Sequence, residues 1–275
     1  MNPHEHITSA SNPRVRQAAR LRDADARRET GLTLIDGLRE LSRAAAAGVV
    51  IEEVFTDTDS PANATRDALI ETLAARAVRI VALARKPFEK IAFGSRNEGL
   101  VGVARFSART LESFHVVADR PVLVIEGVEK PGNVGAILRT ADAAGIAGVL
   151  ACDPRTDPAN PAVIRASLGT VFTVPLAVAT AAATIEWCAR HSRRVIAALP
   201  TGGLLWHETT LAGNSAILLG SEAHGVSREW REAGASGRLD YQSVRLPMAG
   251  SADSLNVSAT AAVLCYEAVR QATNP

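Results

Sequence analysis

Cysteine and lysine are scarce in this chain of 275 residues, and the scarcity of cysteine closes off two classes of protein. Only three cysteines occur, Cys152, Cys188 and Cys265, far apart and in apolar surroundings, which argues against a disulfide framework and a zinc knuckle. They read as core thiols. No apolar run approaches the roughly 20 residues of a membrane span. The opening Met-Asn-Pro-His-Glu-His has no secretion-signal core, so a cytoplasmic protein is expected. None of the six histidines falls in a ligand spacing such as His-Glu-x-x-His, and no metal site is expected. Lysine is confined to Lys86, Lys90 and Lys130; a net charge of +1 points to no partner, and arginine richness as such carries no functional weight.

What is present is the composition of a folded globular protein, 47% hydrophobic and 21% charged, on a chain long enough for two ordinary domains. Residues 1–12 read as a loose arm. Pro13 opens a helix running to about Arg28, rich in arginine and with a thin apolar side, Val15, Ala18, Ala19 and Leu21. Such a helix is either a solvated face or a surface for phosphates, each of which adds salt-dependent affinity. An alternating pattern follows: strand Leu32–Ile35, helix Leu38–Ala47 closed by Gly48, strand Val49–Phe55, helix Thr65–Ala77, strand Val78–Leu83, helix Pro87–Ala92 and strand Leu100–Phe106. Residues 1–106 thus form a first α/β domain, 107–120 a linker, and 121–275 a second domain.

The second domain alternates as well. Strands are expected at Val122–Ile125, Ile146–Cys152, Val171–Val174, Arg194–Leu199, Ser215–Leu219 and Gln242–Leu246. The helix from about Val134 to Ala144, capped by Gly145, makes the first two of these parallel; further helices are expected at Pro161–Ser167, Ala181–His191 and Ser227–Ala233.

Three stretches stand out. Ile125-Glu126-Gly127-Val128-Glu129-Lys130-Pro131-Gly132-Asn133-Val134-Gly135 and Ile217-Leu218-Leu219-Gly220-Ser221-Glu222-Ala223-His224-Gly225 each run from an apolar strand into a glycine-rich turn and then toward a helix. Leu246-Pro247-Met248-Ala249-Gly250-Ser251-Ala252-Asp253-Ser254-Leu255-Asn256-Val257-Ser258 ends a strand and opens a helix that Asp253 or Ser254 can cap. That helix carries an apolar stripe of Val257, Ala261, Leu264, Cys265 and Ala268 beside a nearly bald one, Ser258, Ala259 and Ala262. Open α/β sheets place ligands at the carboxyl ends of their strands, so three such turns suggest one composite site. The glycines are not a dinucleotide fingerprint: Gly127 and Gly132 are five apart where that motif needs two, and no Gly-Lys-Ser/Thr completes a phosphate loop. By itself Asn133 reads as a helix cap, Arg139 as half of a surface pair with Asp142, and Glu222 as a solvated carboxylate.

In order and spacing, the three stretches resemble the signature motifs of the SpoU/TrmH branch of the SPOUT RNA methyltransferases, most closely through Leu-Pro-Met and Ser-Leu-Asn-Val-Ser. Ser11-Asn12-Pro13 and Leu34-Ile35-Asp36-Gly37-Leu38-Arg39 resemble the small domain that many members carry in front, similar to kink-turn-binding ribosomal proteins, although Asp36 stands where the family more often has Glu. The resemblance implies an α/β trefoil knot with a parallel sheet, the chain from about Gly220 threading a loop. It also implies a homodimer that transfers a methyl group from S-adenosylmethionine to a ribose 2′-hydroxyl without a metal. Large-subunit (23S) ribosomal RNA is the expected substrate, because tRNA-modifying relatives often lack the front domain; tRNA, or RNA binding without catalysis, are the alternatives. Some rRNA members of similar layout confer antibiotic resistance, and no residue here decides that.

Carried over residue by residue, the resemblance makes Asn133, Arg139, Glu222, Ser254 and Asn256 the catalytic set. Leu219, Gly220, Leu246, Met248 and Leu255 hold the cofactor, and Arg14, Arg16, Arg20 and Arg39 meet RNA. His224 is assigned no role. Arginine as general base meets a physical objection: deprotonating a guanidinium at pH 7 costs about 7 to 9 kcal/mol. Arg139 is therefore expected to stay cationic, gripping a phosphate and stabilising the developing alkoxide.

Overall fold

Two sheets of different character organise the chain. The computed structural model describes residues 5–93, 98–201 and 203–273. It divides into two compact units, Met1–Ser107 with Asp157–Thr173, and Ala108–Thr156 with Val174–Pro275.

The first unit runs β1 (His6–Ile7), α1 (Pro13–Arg20), α2 (Ala24–Thr30), β2 (Leu32–Asp36), α3 (Leu38–Ala46), β3 (Ile51–Asp57), α4 (Ala64–Ala75), β4 (Arg79–Leu83), α5 (Arg85–Ile91) and β5 (Leu100–Arg105). Its sheet has the order β1-β4-β3-β5-β2, with β5 antiparallel to both neighbours. The expected arm is shorter than 1–12. Residues 1–4 lie outside the described residues, while His6–Ile7 pairs with Ala82–Leu83 and buries Ile7. Asn12 caps α1, its side chain accepting from Arg14 N at 2.9 Å, with Pro13 in the first turn as its fixed φ favours.

The expected single helix from Pro13 to Arg28 is broken at Leu21–Asp23. The break exposes carbonyls that Arg27 takes: its guanidinium donates to Leu21 O at 3.0 Å and Arg22 O at 2.8 Å, and its Nε to Asp157 at 2.8 Å. Arg27 is only 4% exposed, so this arginine serves the fold rather than a phosphate.

The second unit begins with β6 (Val122–Glu126), α6 (Pro131–Ala143) and β7 (Gly148–Cys152). The chain then supplies α7 (Pro161–Ala166) to the first unit, where it packs on β2. Back in the second unit come β8 (Leu176–Ala179), α8 (Ala181–Arg190), β9 (Arg194–Ala198), β10 (Leu204–Leu205), β11 (Ser215–Leu219), α9 (Arg228–Ala235), β12 (Tyr241–Arg245) and α10 (Val257–Thr273). All seven strands are parallel, in the order β10-β12-β9-β11-β6-β7-β8. Being covered on both faces, the central strands are almost wholly apolar and every residue of β6, β7 and β11 is buried, the polar exceptions Glu126 and Ser215 standing at strand ends.

Three further expectations change. Val171–Val174 is no strand: Thr170–Phe172 forms a 3-10 turn, and the edge strand starts at Leu176. Residues 108–120 are counted with the second unit; Arg109 bridges Ala177, and Phe114 is buried against Trp187 with ring centroids 5.5 Å apart. The cap of α10 is neither Asp253 nor Ser254. Asn256 Oδ1 accepts from Ser258 N at 2.9 Å, because the helix begins only at Val257. The expected stripe Val257, Ala261, Leu264, Cys265 and Ala268 is buried in full.

Candidate active site

Strand register builds the floor of the site. Leu219 of β11 pairs with Ile125 of β6 on one side and Ala198 of β9 on the other, and Ala198 pairs with Val244 of β12. Four neighbouring strands therefore reach their carboxyl ends in one row. The turns after β6, β11 and β12 are the three singled out in the sequence, and β11 and β6 meet where the sheet order reverses, the usual place for a ligand in an open α/β sheet.

Each turn has a local reason for its shape. Gly127 adopts φ +62°, open to glycine at no steric cost, and donates to Cys152 O at 2.9 Å. Beyond β11, Ser221 and Gly225 exchange backbone hydrogen bonds of 3.2 and 2.9 Å, and His224 N donates to Ser221 Oγ at 3.0 Å. This closes the chain so tightly that a Cβ on Gly220 would lie 2.1 Å from the carbonyl carbon of Gly225. Glu126, buried at the end of β6, accepts from Ser227 N at 2.8 Å and from Trp230 Nε1 at 3.2 Å, and so fastens the start of α9 to the sheet.

The sequence reading of Asn133 as a helix cap is corrected. Pro131, whose φ is preset and whose missing N–H costs nothing in a first turn, starts α6 three residues earlier than expected, leaving Lys130 in the cap position. The amide of Asn133 is thereby released for other partners. Its Nδ2 donates to Glu222 Oε1, and its Oδ1 accepts from Asn256 Nδ2 at 3.2 Å. Asn256 Oδ1 in turn accepts from Ser258 N at 2.9 Å and from Ser258 Oγ at 2.6 Å. One polar residue from each of the three strand-to-helix segments is joined in a single chain of hydrogen bonds.

Beside this chain opens a cleft of about 480 Å³, a size that suits a nucleoside-bearing ligand. Its wall includes Leu219, Gly220, Leu246, Met248 and Leu255, the five positions expected to hold a cofactor, together with Glu222 and Ser254. Leu219 is almost fully buried and presents little surface to the cleft. Residues that the sequence did not single out also line it: Ala198 to Thr201 after β9, Arg231 on α9, Arg245 at the end of β12 and Thr260 on α10. The signal for the first was there, a Leu-Pro-Thr-Gly-Gly turn following an apolar strand. The second and third carried none, since an exposed arginine on a helix or strand end looks like any other.

Arg139 stands apart. It is exposed on α6 and does not line the cleft. Six residues beyond Asn133, it leaves the helix about 120° away from that side chain. Of the four arginines expected to meet RNA, Arg14 lies 2.5 Å from Glu5 and 3.7 Å from Glu53, Arg20 is 3.8 Å from Glu29, and Arg16 and Arg39 are exposed. The cysteines are buried; burial pushes the thiols of Cys188 and Cys265 up to about 12 and that of Cys152 higher still, which disqualifies them as nucleophiles. Among the described residues no helix is long and apolar enough to cross a membrane, and no cluster of His, Cys, Asp and Glu is suited to a metal ion.

Comparison with known proteins gives the same answer along the chain. Residues 120–266 match the model of the SpoU rRNA Methylase family, and residues 12–102 that of the MRM3-like substrate binding domain. A 23S rRNA (guanosine-2′-O-)-methyltransferase, RlmB of Bordetella pertussis, is 34% identical over 230 residues, covering 80% of this chain and 89% of its own. A 23S rRNA (uridine(2479)-2′-O)-methyltransferase of Streptomyces viridochromogenes is 29% identical across 98% of this chain and 93% of its own. Among solved structures, an RNA 2′-O ribose methyltransferase superposes with a TM-score of 0.83 at 35% identity, covering 98% of this chain and 99% of that one. The AdoMet-bound rRNA methyltransferase of Sinorhizobium meliloti does so at 0.85 and 26% identity, covering 97% and 98%. A family model spanning the parallel sheet and all three strand-end turns, with relatives alike over most of their length, makes this chain a member of the SpoU rRNA methylase family, an S-adenosylmethionine-dependent RNA 2′-O-methyltransferase.

Proposed function

We propose that this protein methylates a ribose 2′-hydroxyl of 23S ribosomal RNA in the cytoplasm, as a homodimer whose catalytic domain is threaded as a trefoil knot. The observation that carries the reading is the hydrogen-bonded chain Asn256–Asn133–Glu222 on the rim of a strand-end cleft. Three segments far apart in sequence converge there, and although Asn256 also caps α10, the bonds of its Nδ2 to Asn133 and of Asn133 to Glu222 cap no helix. The rRNA substrate is supported by the names of the relatives, which act on 23S rRNA at guanosine in one case and uridine in the other.

The cleft fits the cofactor. The apolar walls of Leu246 and Leu255, beside the closed turn at Gly220, suit an adenosine, and Met248 and Ser254 would flank the rest of the molecule. When bound, S-adenosylmethionine supplies an electrophilic methyl group on a sulfonium. The chain itself has two tasks, holding the ribose hydroxyl in line and easing the loss of its proton. Glu222, anchored by Asn133, offers a fixed acceptor for the hydroxyl or for an arginine that grips the substrate. Arg139 supplies a cation for the phosphate and for the negative charge that develops on oxygen.

Since Arg139 lies outside its own cleft, we assign it to the site of the other protomer. An apolar strip on and beside α10, with Leu255 43%, Val263 37% and Tyr266 53% exposed, is the surface that a second copy would cover. In front, the small α/β unit presents Arg16 and Arg39 to the RNA, while Arg14 and Arg20 meet RNA only by exchanging their carboxylate partners.

Mapping ribose methylation in total RNA from cells with and without the gene tests the proposal. One 23S rRNA mark disappears on deletion; a mark lost from tRNA instead, with 23S rRNA unchanged, sinks the substrate assignment.

A further inference from the structure

We propose that Ser258 is a positioning residue for methyl transfer: it sets the direction of the hydrogen-bond chain that ends on Glu222. The proposal rests on the methyltransferase reading above. A backbone N–H can only donate, and Ser258 N donates to Asn256 Oδ1 at 2.9 Å, which fixes that atom of the amide as its oxygen. Ser258 Oγ, 2.6 Å from the same oxygen, donates too, so both lone pairs of Oδ1 are engaged. Nδ2 of Asn256 is then turned to Asn133, donating to its Oδ1 at 3.2 Å. By the same logic Asn133, its oxygen occupied, turns its own Nδ2 to Glu222 Oε1.

An unconstrained asparagine amide has two orientations of nearly the same shape. Reversing this pair would set the oxygen of Asn133 against the carboxylate of Glu222, acceptor against acceptor. The serine therefore determines, through two intermediaries, that Glu222 is the receiving end of the chain and is held where it lines the cleft. The hydroxyl adds to the backbone donor by filling the second lone pair, which removes the freedom that a single hydrogen bond leaves to the amide.

Ser258→Ala, Ser258→Thr, Asn256→Ala and the Ser258→Ala/Asn256→Ala double variant of the full chain test this. In Ser258→Ala, kcat falls about three- to tenfold, while S-adenosylmethionine affinity by calorimetry and KM for RNA stay at the wild-type level. Threonine, which keeps the hydroxyl, returns kcat to within about twofold of wild type. In the Asn256→Ala background, removing the hydroxyl has no further effect. An unchanged kcat in Ser258→Ala, or an effect that persists in full without Asn256, overturns the proposal. So does joint loss of stability, cofactor affinity and kcat without rescue by threonine, which would reduce Ser258 to a helix-capping group. The side-chain amide resonances of Asn133 and Asn256 provide a readout free of activity: both shift in Ser258→Ala, and if neither does, Ser258 does not set the chain. Failure of the wild-type protein to methylate RNA counts against the methyltransferase reading alone, since the amide resonances still decide the role of Ser258.

Discussion

Asn256 Nδ2 donates to Asn133 Oδ1 across 3.2 Å, joining residues 123 positions apart in the chain. Asn133 stands in the first turn of α6 after β6 and Asn256 in the turn after β12, so the bond exists only if β6, β12 and the helices after them are in place. Asn133 is the middle member of this chain, and its second bond goes to a carboxylate, the kind of hydrogen bond that is worth about 1.5 to 3 kcal/mol.

Asn133→Ala is accordingly expected to lower single-turnover methylation about ten- to a hundredfold, with S-adenosylmethionine affinity little changed because Asn133 does not line the cleft. Asn133→Asp is worse than alanine, since it sets a second carboxylate against Glu222. Rates within twofold of wild type for the alanine variant would remove Asn133 from the mechanism.

For Arg139 the test is complementation. Arg139→Ala and Glu222→Ala are each expected to lose about a hundredfold or more in rate. Mixed and allowed to exchange subunits, they regain about a quarter of wild-type activity, because half the dimers are then mixed and each of these has one intact site. Recovery absent despite proven exchange would place Arg139 in its own protomer's site. Across pH, Arg139→Lys keeps the wild-type profile at a lower rate; a steep rise with pH that needs arginine would instead make it the base.

Gly220 and Gly132 make a matched pair. A Cβ at Gly220 would stand 2.1 Å from a backbone carbon, whereas one at Gly132 meets nothing within 4 Å. Gly220→Ala is expected to cost about 1 to 3 kcal/mol of stability and to weaken S-adenosylmethionine binding by about tenfold or more. Gly132→Ala, within α6, leaves the melting temperature unchanged or raises it. Equal melting temperatures and equal cofactor affinity for both variants would show that the turn after β11 is not sterically closed.

The front unit carries a pH dependence. Asp36 is 3% exposed, and burial pushes its carboxyl from 3.8 up to about 6; Glu40 and Glu98 add to the rise, while the Phe93 N–H and Arg165 oppose it. Between these values the folded state binds more protons than the unfolded one, so the stability this group confers is complete below about pH 4 and is lost as pH rises through about 6. The loss is of the order of 3 kcal/mol, two units at about 1.36 each. Chemical denaturation at pH 4 to 7 should show this decline for wild type and a flatter profile for Asp36→Asn; parallel profiles would refute it.

Much of the site was legible locally. Strand followed by a glycine-bearing turn followed by helix is a pattern of dihedral preferences and caps. The pattern is present after β6 and β11, and the polar residues Asn133, Glu222 and Asn256 lie within or just beyond such segments. Other features depend on groups distant in sequence. The cap role of Asn133 failed because Pro131 began the helix earlier, and what the released amide then bonds is decided by the neighbouring turns. Likewise, nothing near Asp157–Thr173 shows that this segment belongs with the first sheet. Its apolar residues Val163, Ile164 and Val171 would suit either core, and the choice rests on α7 packing against β2 and on the pair Arg27–Asp157.

By itself, then, the amino-acid order determined most strands and helices, though not the turn at Thr170–Phe172 or the break at Leu21–Asp23, and it determined where glycine was needed, because those follow from spacing and backbone sterics over a few residues. Tertiary structure alone decided the row Ile125, Leu219, Ala198 and Val244, the cleft above it, the inclusion of Ala198 to Thr201 and the exclusion of Arg139. Register and strand order are settled by burying whole apolar faces against distant partners, and no short stretch of sequence contains that information.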